Sequence, residues 1–117
     1  MKESSISVPC SKVYLDEEIR EAVLNALDSG QYILGKQCDK FEEEFASYMG
    51  SKYAVLTNSA TTALQLTLLA FGVVPEDEIL APSLTAFPTI EPIYHVGAKP
   101  VFIDIDKNYL MDSEKIE

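Results

Sequence analysis

The chain contains little cysteine, little positive charge and no long hydrophobic run. Its two cysteines, Cys10 and Cys38, are too few for a disulfide framework or a cysteine metal site, and free thiols in a reducing compartment are expected. Nineteen acidic residues against nine lysines and arginines give a net charge of −10, which argues against a nucleic-acid or anionic-membrane partner. The longest apolar stretch, residues 63–74, is too short to cross a bilayer, and the N-terminus lacks the apolar core of a signal peptide. A soluble, cytoplasmic protein is predicted.

The composition and the apolar pattern indicate one domain with two parts. At 117 residues, with 47% hydrophobic and 24% charged residues, the chain has the make-up of a globular domain. Residues 1–50 predict a helical N-terminal segment. Its first helix, "DEEIREAVLNALDSG", has Asp16 as N-cap and Gly30 as its end, and its second, "QCDKFEEEFASYMG", ends at Gly50. The piece "QYILG" between them is predicted to be extended.

Residues 51–117 predict the start of an α/β core. Three short apolar runs show little alternation, which is typical of strands buried on both faces. These runs are residues 53–57, 79–81 and 100–105. Helical stretches at 61–71 and 88–96 separate them, so the order favours a parallel sheet with helices on its faces. Pro92 lies inside the second of these helices, where it is expected to cost about 3 kcal/mol or to force a kink.

The last residues raise a question about the extent of the domain. "KNYLMDSEKIE" predicts a turn and then a helix that opens with Asp112 or Ser113 as N-cap. The chain stops within that helix, and three parallel strands would leave a long apolar edge exposed. We therefore expect the chain to be the front part of something larger.

Two further sets of polar residues are assigned structural roles. Asp104 and Asp106 in "FIDID" could share one face of a strand, but no histidine or third ligand lies nearby in sequence. A turn at the end of the strand is therefore expected rather than a metal pair. His95, the single histidine, lies near a helix C-terminus, where a cation suits the helix dipole, and no catalytic role is assigned to it.

The junction "NSATT", residues 58–62, joins a predicted strand to a predicted helix. The first N–H groups of a helix have no internal partners and carry partial positive charge, so a phosphate could bind there. The hydroxyls of Ser59 and Thr61 would complete its shell. The alternative is a helix start that only needs capping, since Ser, Thr and Asn cap any helix well. Neither a P-loop nor a G-x-G-x-x-G motif occurs, so a nucleoside triphosphate or a dinucleotide is not indicated.

Three ordered segments together resemble a known family. They are "LDSGQYILGKQCDKFEEEFASYMGSKYAVLTNSATTALQLTLLAFGV", "EDEILAPSLTAFPTIEPIYHVGAKPVFIDID" and "MDSEKIE". The set is similar to the DegT/DnrJ/EryC1/StrS sugar aminotransferases, which use pyridoxal 5'-phosphate (PLP) on the type I aminotransferase fold. The resemblance implies an α/β fold: part of the large domain of such an enzyme, with a parallel-sheet core and flanking helices.

The resemblance also implies roles for individual residues. In the family a Ser-Ala-Thr element holds the cofactor phosphate, and the turn matching "PSLT" presents an aromatic ring to the cofactor's pyridine face. The implied cofactor-binding residues are Ser59, Ala60, Thr61, Thr85, Ala86 and Phe87. The family usually has its aromatic residue where this chain has Ala86, so the ring could come from Phe87, or Phe87 could belong to the core. "GQYILG" resembles a stretch near the substrate and the dimer interface, which makes Tyr32 and Gly35 substrate-binding candidates.

The implied function is transfer of an amino group to a nucleotide-linked keto sugar. Glutamate or glutamine is the expected amino donor, and the complete enzyme is expected to be a homodimer. The family's cofactor-bearing lysine and its pyridine-nitrogen aspartate would lie beyond residue 117, so no catalytic residue is assigned and the chain alone is predicted to be inactive. Two alternatives stay open: a sugar dehydratase of the same family, in which histidine replaces that lysine, and a non-catalytic, truncated binding module.

Overall fold

A computed structural model describes residues 8–116. The chain divides into two compact units, Met1–Val55 and Leu56–Glu117. The first unit contains helices α1 (Glu17–Asp28) and α2 (Lys36–Met49). The second unit contains helix α3 (Ala60–Ala70), strand β1 (Glu78–Pro82), helix α4 (Phe87–His95), strand β2 (Lys99–Ile103) and a 3-10 turn (Ser113–Lys115). No helix among residues 8–116 has the length and apolar character that a membrane crossing requires.

Both helices of the first unit form where the sequence predicts them. α1 begins after Asp16, whose carboxylate accepts a hydrogen bond from the N–H of Ile19 at 2.9 Å. α2 ends at Gly50, which takes the left-handed conformation with φ 67°, while the N–H of Ser51 donates to the carbonyl of Ala46 at 3.0 Å. Local capping signals therefore set these boundaries.

The prediction of an extended "QYILG" segment is wrong. Residues 33–35 form a bend, with φ values of 53° at Leu34 and 119° at Gly35. The bend leads directly into α2, because the carbonyl of Gly35 accepts hydrogen bonds from the N–H groups of Cys38 and Asp39. A backbone that has positive φ at two successive residues turns instead of extending.

In the second unit, β1 and β2 pair in parallel through the crossover helix α4. Their register runs from Glu78 opposite Lys99 to Pro82 opposite Ile103. Both strands and both helices of this unit lie within one or two residues of the predicted positions. The β-α-β arrangement with helices packed beside a parallel pair confirms the predicted α/β class.

The prediction of a strand at residues 53–57 is wrong. This stretch has no regular secondary structure, and Tyr53 and Val55 are 73% and 78% exposed. A strand exists only through hydrogen bonds to a neighbouring strand, and the sheet within residues 8–116 has two strands, β1 and β2. Composition alone identified an apolar run but could not supply its pairing partner.

The core of the second unit lies between α4 and the sheet. Its buried side chains are Ala81, Ile90, Ile93, Val96 and Ala98, and Leu68 of α3 packs against them. Pro92 is completely buried and does not end α4, since the N–H of Val96 donates to the carbonyl of Pro92 at 3.2 Å. Helix α3 packs on α4 and so completes the layer above the sheet.

The connections that enter the two strands meet at one edge of the sheet. α3 leads into β1 through residues 71–77, and α4 leads into β2 through residues 96–98. The backbone N–H of Lys99 donates to the carbonyl of Asp77 at 2.8 Å, which joins the ends of these connections. Because both helices end at this edge, both begin at the opposite edge, where β1 and β2 have their carboxyl ends.

Replacing Gly97 with alanine is expected to destabilise the protein more than replacing Gly72. Both glycines have positive φ, 84° and 75°, so alanine pays the left-handed cost of about 1–2 kcal/mol at either site. At Gly97 the added methyl would also lie 3.0 Å from Cγ of Pro75, whereas nothing lies within 4 Å at Gly72. Urea denaturation of both variants measures the difference, and equal losses would contradict the close packing of the two connections.

The segment after β2 forms a turn, as expected for "FIDID". The carboxylate of Asp106 accepts hydrogen bonds from the N–H groups of Asn108 at 2.8 Å and Leu110 at 3.0 Å, and Ile105 pairs with Met111 in an isolated antiparallel bridge. Asp112 then caps the 3-10 turn through the N–H of Glu114 at 3.1 Å. Residues 8–116 contain no group of three or more histidine, cysteine or acidic side chains placed to hold a metal ion.

Candidate functional site

Ser59 is the N-cap of α3. It has an extended backbone (φ −160°), and its Oγ accepts a hydrogen bond from the N–H of Thr62 at 3.2 Å. Its carbonyl accepts from the N–H of Ala63 and from the hydroxyl of Thr57, at 3.1 and 2.9 Å. The capping role considered from the sequence is therefore realised, and hydrogen bonds from Thr57 and Ala63 hold Ser59 on both sides of the helix start.

Capping leaves two backbone donors of α3 without a partner among residues 8–116. The N–H groups of Ala60 and Thr61 precede the first intrahelical hydrogen bond and are not the ones that Ser59 satisfies. Ala60 is exposed and Thr61 is half-buried, so both amides are near the surface. The first turn of α3 carries no acidic residue, unlike that of α1 or α2. An anion at this end meets two N–H donors and the positive end of the helix dipole.

The start of α4 offers fewer donors. Its N-cap is Ala86, which makes no side-chain cap, and Pro88 in the first turn has no N–H group. The N–H of Thr89 is already bonded to the carbonyl of Ala86 at 2.9 Å. Only the N–H of Phe87 is left in that turn. The start of α4 is therefore the poorer phosphate site of the two.

The residues before and within this turn fit an apolar ligand surface better than an anion site. The hydroxyls of Thr85 and Thr89 lie 2.8 Å apart and tie the loop to the helix. Phe87 is 70% exposed and lies outside the core cluster of the second unit. Its ring is available at the same edge of the sheet as the start of α3.

The structure thus brings two of the three predicted groups to one edge of the second unit. Residues 59–61 begin α3 and residues 85–87 begin α4, at the edge where β1 and β2 have their carboxyl ends, which is where open α/β sheets bind ligands. The third group belongs to the first unit. Tyr32 is 72% exposed and its hydroxyl donates to the carbonyl of Leu27 at 3.0 Å, while Gly35 is the N-cap of α2.

An ion pair lies at the carboxyl end of β2. Nζ of Lys115 is 2.9 Å from Oδ2 of Asp104 and 3.9 Å from Oδ2 of Asp112. The hydrogen bond from Lys115, with a further one from the N–H of Ile105, lowers the pKa of Asp104. The same hydrogen bond raises the pKa of Lys115. The lysine is thereby engaged in holding the 3-10 turn against the strand end.

This ion pair predicts a pH dependence of stability in acid. The pKa of Asp104 is lower in the folded chain than its ordinary value of 3.8, so the unfolded chain binds the proton more tightly. The contribution is therefore present above that ordinary value and is lost as the pH falls through the folded pKa. Thermal unfolding between pH 2 and 7 should show a smaller acid-induced loss in Asp104→Asn than in the unchanged protein. An identical loss of thermal stability in both proteins would show that this ion pair does not contribute to the pH dependence.

A model of the DegT/DnrJ/EryC1/StrS aminotransferase family matches residues 13–117. The chain belongs to this family. The match includes the starts of α3 and α4 described above.

Named relatives and a solved structure agree with the family. The spore coat polysaccharide biosynthesis protein SpsC of Bacillus subtilis is 47% identical over 102 residues, 86% of this chain and 26% of its own length. The dTDP-3-amino-3,4,6-trideoxy-alpha-D-glucose transaminase of Micromonospora megalomicea is 41% identical over 101 residues, 86% and 27% of the two lengths. The E. coli GDP-4-keto-6-deoxy-D-mannose-3-dehydratase with bound hydrated PLP is 31% identical, with a TM-score of 0.77 over 86% of this chain and 28% of that one.

The chain spans about a quarter of the length of the curated relatives it matches. Within that span the fold is the α/β fold of the PLP-dependent sugar aminotransferases and dehydratases of this family.

Two residues of the site were missed from the sequence. Thr62 and Thr89 each place a hydroxyl against a predicted cofactor-binding residue, 3.0 Å from Ser59 Oγ and 2.8 Å from Thr85 Oγ1. The spacing Ser59-x-x-Thr62 is the spacing of an N-cap and the third helical residue, and it was a usable signal. The Thr85–Thr89 pair had no such signal, because the helix start at Ala86 lacks a capping side chain.

Proposed function

We propose that this chain provides the cofactor-phosphate site of a PLP-dependent aminotransferase that acts on a nucleotide-linked keto sugar. The observation that carries the proposal is the start of α3, where the N–H groups of Ala60 and Thr61 are available beside the capping hydroxyl of Ser59. Family membership indicates which phosphate compound to expect there.

The residues at the start of α3 fit a phosphate ester. It would accept hydrogen bonds from the two amides and from the hydroxyl of Thr61, while the helix dipole offsets its charge. The net charge of −10 does not prevent this, because the first turn of α3 has no carboxylate. Thr85, Ala86 and Phe87 would lie against the pyridine ring, with the Phe87 side chain as the aromatic contact. Bound there, PLP would supply the electron sink for amino-group transfer.

The substrate proposal rests on what the relatives are named for. One relative is a transaminase of a dTDP-linked sugar, and the solved enzyme acts on a GDP-linked keto sugar. We extend this to a nucleotide-linked keto sugar as acceptor, with glutamate or glutamine as donor. Tyr32 and Gly35 are proposed to lie on the substrate side, in a cytoplasmic homodimer that binds neither nucleic acid nor membrane.

The 117-residue chain by itself is proposed to be inactive. A lysine that carries PLP is usually desolvated so that its amine is neutral enough to react. Every lysine among residues 8–116 is exposed. These are Lys12, Lys36, Lys40, Lys52, Lys99, Lys107 and Lys115.

A paired assay tests this part of the proposal. The 117-residue chain and the protein expressed from its complete reading frame are each supplied with PLP, glutamate and a dTDP-linked keto sugar. The amino sugar nucleotide is then measured by mass spectrometry. Turnover is expected only with the complete reading frame; steady turnover by the 117-residue chain would contradict the proposal.

A sugar dehydratase is the second candidate, because the E. coli dehydratase matches 86% of the chain at 31% identity. The same assay separates the two functions by product. A transaminase yields an amino sugar nucleotide and 2-oxoglutarate, whereas a dehydratase that draws its two electrons from glutamate yields a deoxygenated keto sugar nucleotide, 2-oxoglutarate and ammonia, so the sugar product decides. Binding of PLP without either product would instead favour a non-catalytic binding module.

A further inference from the structure

Thr62 makes two separate contacts with Ser59. Its N–H donates to Ser59 Oγ at 3.2 Å, which is the helix cap, and its Oγ1 lies 3.0 Å from the same oxygen. Of the two contacts, the cap needs only the N–H, so the hydroxyl contact is extra to helix formation.

Either hydroxyl can be the donor in this contact, and the choice sets where the proton of Ser59 points. A serine oxygen has two acceptor lone pairs and one O–H donor. When both the N–H and the O–H of Thr62 donate to Ser59 Oγ, both lone pairs are filled and the Ser59 proton is free to donate elsewhere. An anion at the start of α3 favours donation by the Ser59 hydroxyl to the anion. The hydrogen bond from Thr62 to Ser59 and the one from Ser59 to the anion would then polarise each other.

We propose that Thr62 is a positioning residue, which orients the hydroxyl of Ser59 toward the cofactor phosphate. The inference rests on the proposed phosphate site at the start of α3 and goes beyond it by assigning a residue that does not touch the ligand. Thr62 is half-buried, and its hydroxyl is 3.0 Å from Ser59 Oγ, through which it would act on the phosphate.

The test replaces Thr62 with valine, which has the same shape but no hydroxyl. The protein is expressed from its complete reading frame, and the dissociation constant of pyridoxamine 5'-phosphate is measured by titration calorimetry. Thr62→Val is expected to raise this constant about 5-fold, the effect of losing one ordinary hydrogen bond. The constant for pyridoxamine, which lacks the phosphate, should not change. Thr62→Ser restores the hydroxyl and should restore the binding.

Thr67→Val is the matched control. Thr67 lies in the same helix and its hydroxyl donates to the carbonyl of Ala63 at 2.8 Å, away from the helix start. It should leave both dissociation constants unchanged. Melting temperatures of all variants, measured without ligand, show whether weaker binding comes from partial unfolding. If Thr62→Val is unfolded, the binding of Thr62→Ser is compared with that of the unchanged protein, and it should be the same.

A double-mutant cycle separates this inference from the proposed function. If Thr62 acts through Ser59, Thr62→Val should have no further effect in a Ser59→Ala background. Additive effects of the two changes, or an unchanged constant in Thr62→Val alone, would overturn the positioning role. If Ser59→Ala and Thr61→Ala also leave phosphate binding unchanged, the phosphate site itself is wrong.

Discussion

Replacing both Ser59 and Thr61 with alanine is expected to weaken binding of pyridoxamine 5'-phosphate by about 100-fold or more. The two hydroxyls lie beside the available N–H groups of α3, and a hydrogen bond to a charged group is worth about 1.5–3 kcal/mol. The measurement is titration calorimetry on the protein expressed from its complete reading frame, with pyridoxamine as the phosphate-free comparison. Unchanged binding would show that the phosphate lies elsewhere.

The alanine changes also remove the cap of α3, which costs about 1 kcal/mol of stability. Ser59→Asp separates the two effects. Aspartate caps a helix about as well as serine and suits the positive end of its dipole, so stability should be kept. Its carboxylate would repel a phosphate at the same place, so binding should still be lost. A variant that is stable and still binds would contradict the account.

Replacing Ile93 with alanine is expected to destabilise the second unit by about 2–5 kcal/mol, since Ile93 is 3% exposed in the core between α4 and the sheet. The loss combines lost burial with the cavity left beside Ile90 and Val96. Ile33→Ala is the control, because Ile33 is 90% exposed and the same change there removes no packing. Urea denaturation followed by circular dichroism measures both variants.

A loss below about 0.5 kcal/mol in Ile93→Ala would be in the range of ordinary surface substitutions and would contradict the core assignment.

The core also matters for the site. α4 holds the loop at Thr85 through its hydrogen bond to Thr89, so a loosened α4 releases the proposed ring contact. Binding of pyridoxamine 5'-phosphate to Ile93→Ala should therefore weaken less than binding to the double alanine variant, in which the phosphate contacts themselves are removed.

Much of this architecture could be predicted because its signals are local. Asp16, Ser59 and Asp112 cap helical turns within three residues of themselves, and Gly50 ends α2 through its own φ angle. Such interactions need no knowledge of the rest of the fold. The family resemblance then assigned the start of α3 to a phosphate, where composition alone favoured simple capping.

Other features depend on contacts distant in the chain, and these could not be predicted. Residues 53–57 have the composition of a strand but no partner strand among residues 8–116. The ion pair of Asp104 with Lys115 spans eleven positions, and the contact of Gly97 with Pro75 spans twenty-two. The exposure of Phe87 was equally open, because a phenylalanine at the start of a helix can face either the core or the ligand.

The most direct test of the phosphate site is a crystal structure of the protein, expressed from its complete reading frame, with PLP bound. The phosphate is expected within hydrogen-bond distance of the N–H groups of Ala60 and Thr61 and of the Ser59 hydroxyl. The Phe87 ring is expected against the pyridine. A phosphate held at the start of α4, or at neither helix, would contradict the central claim.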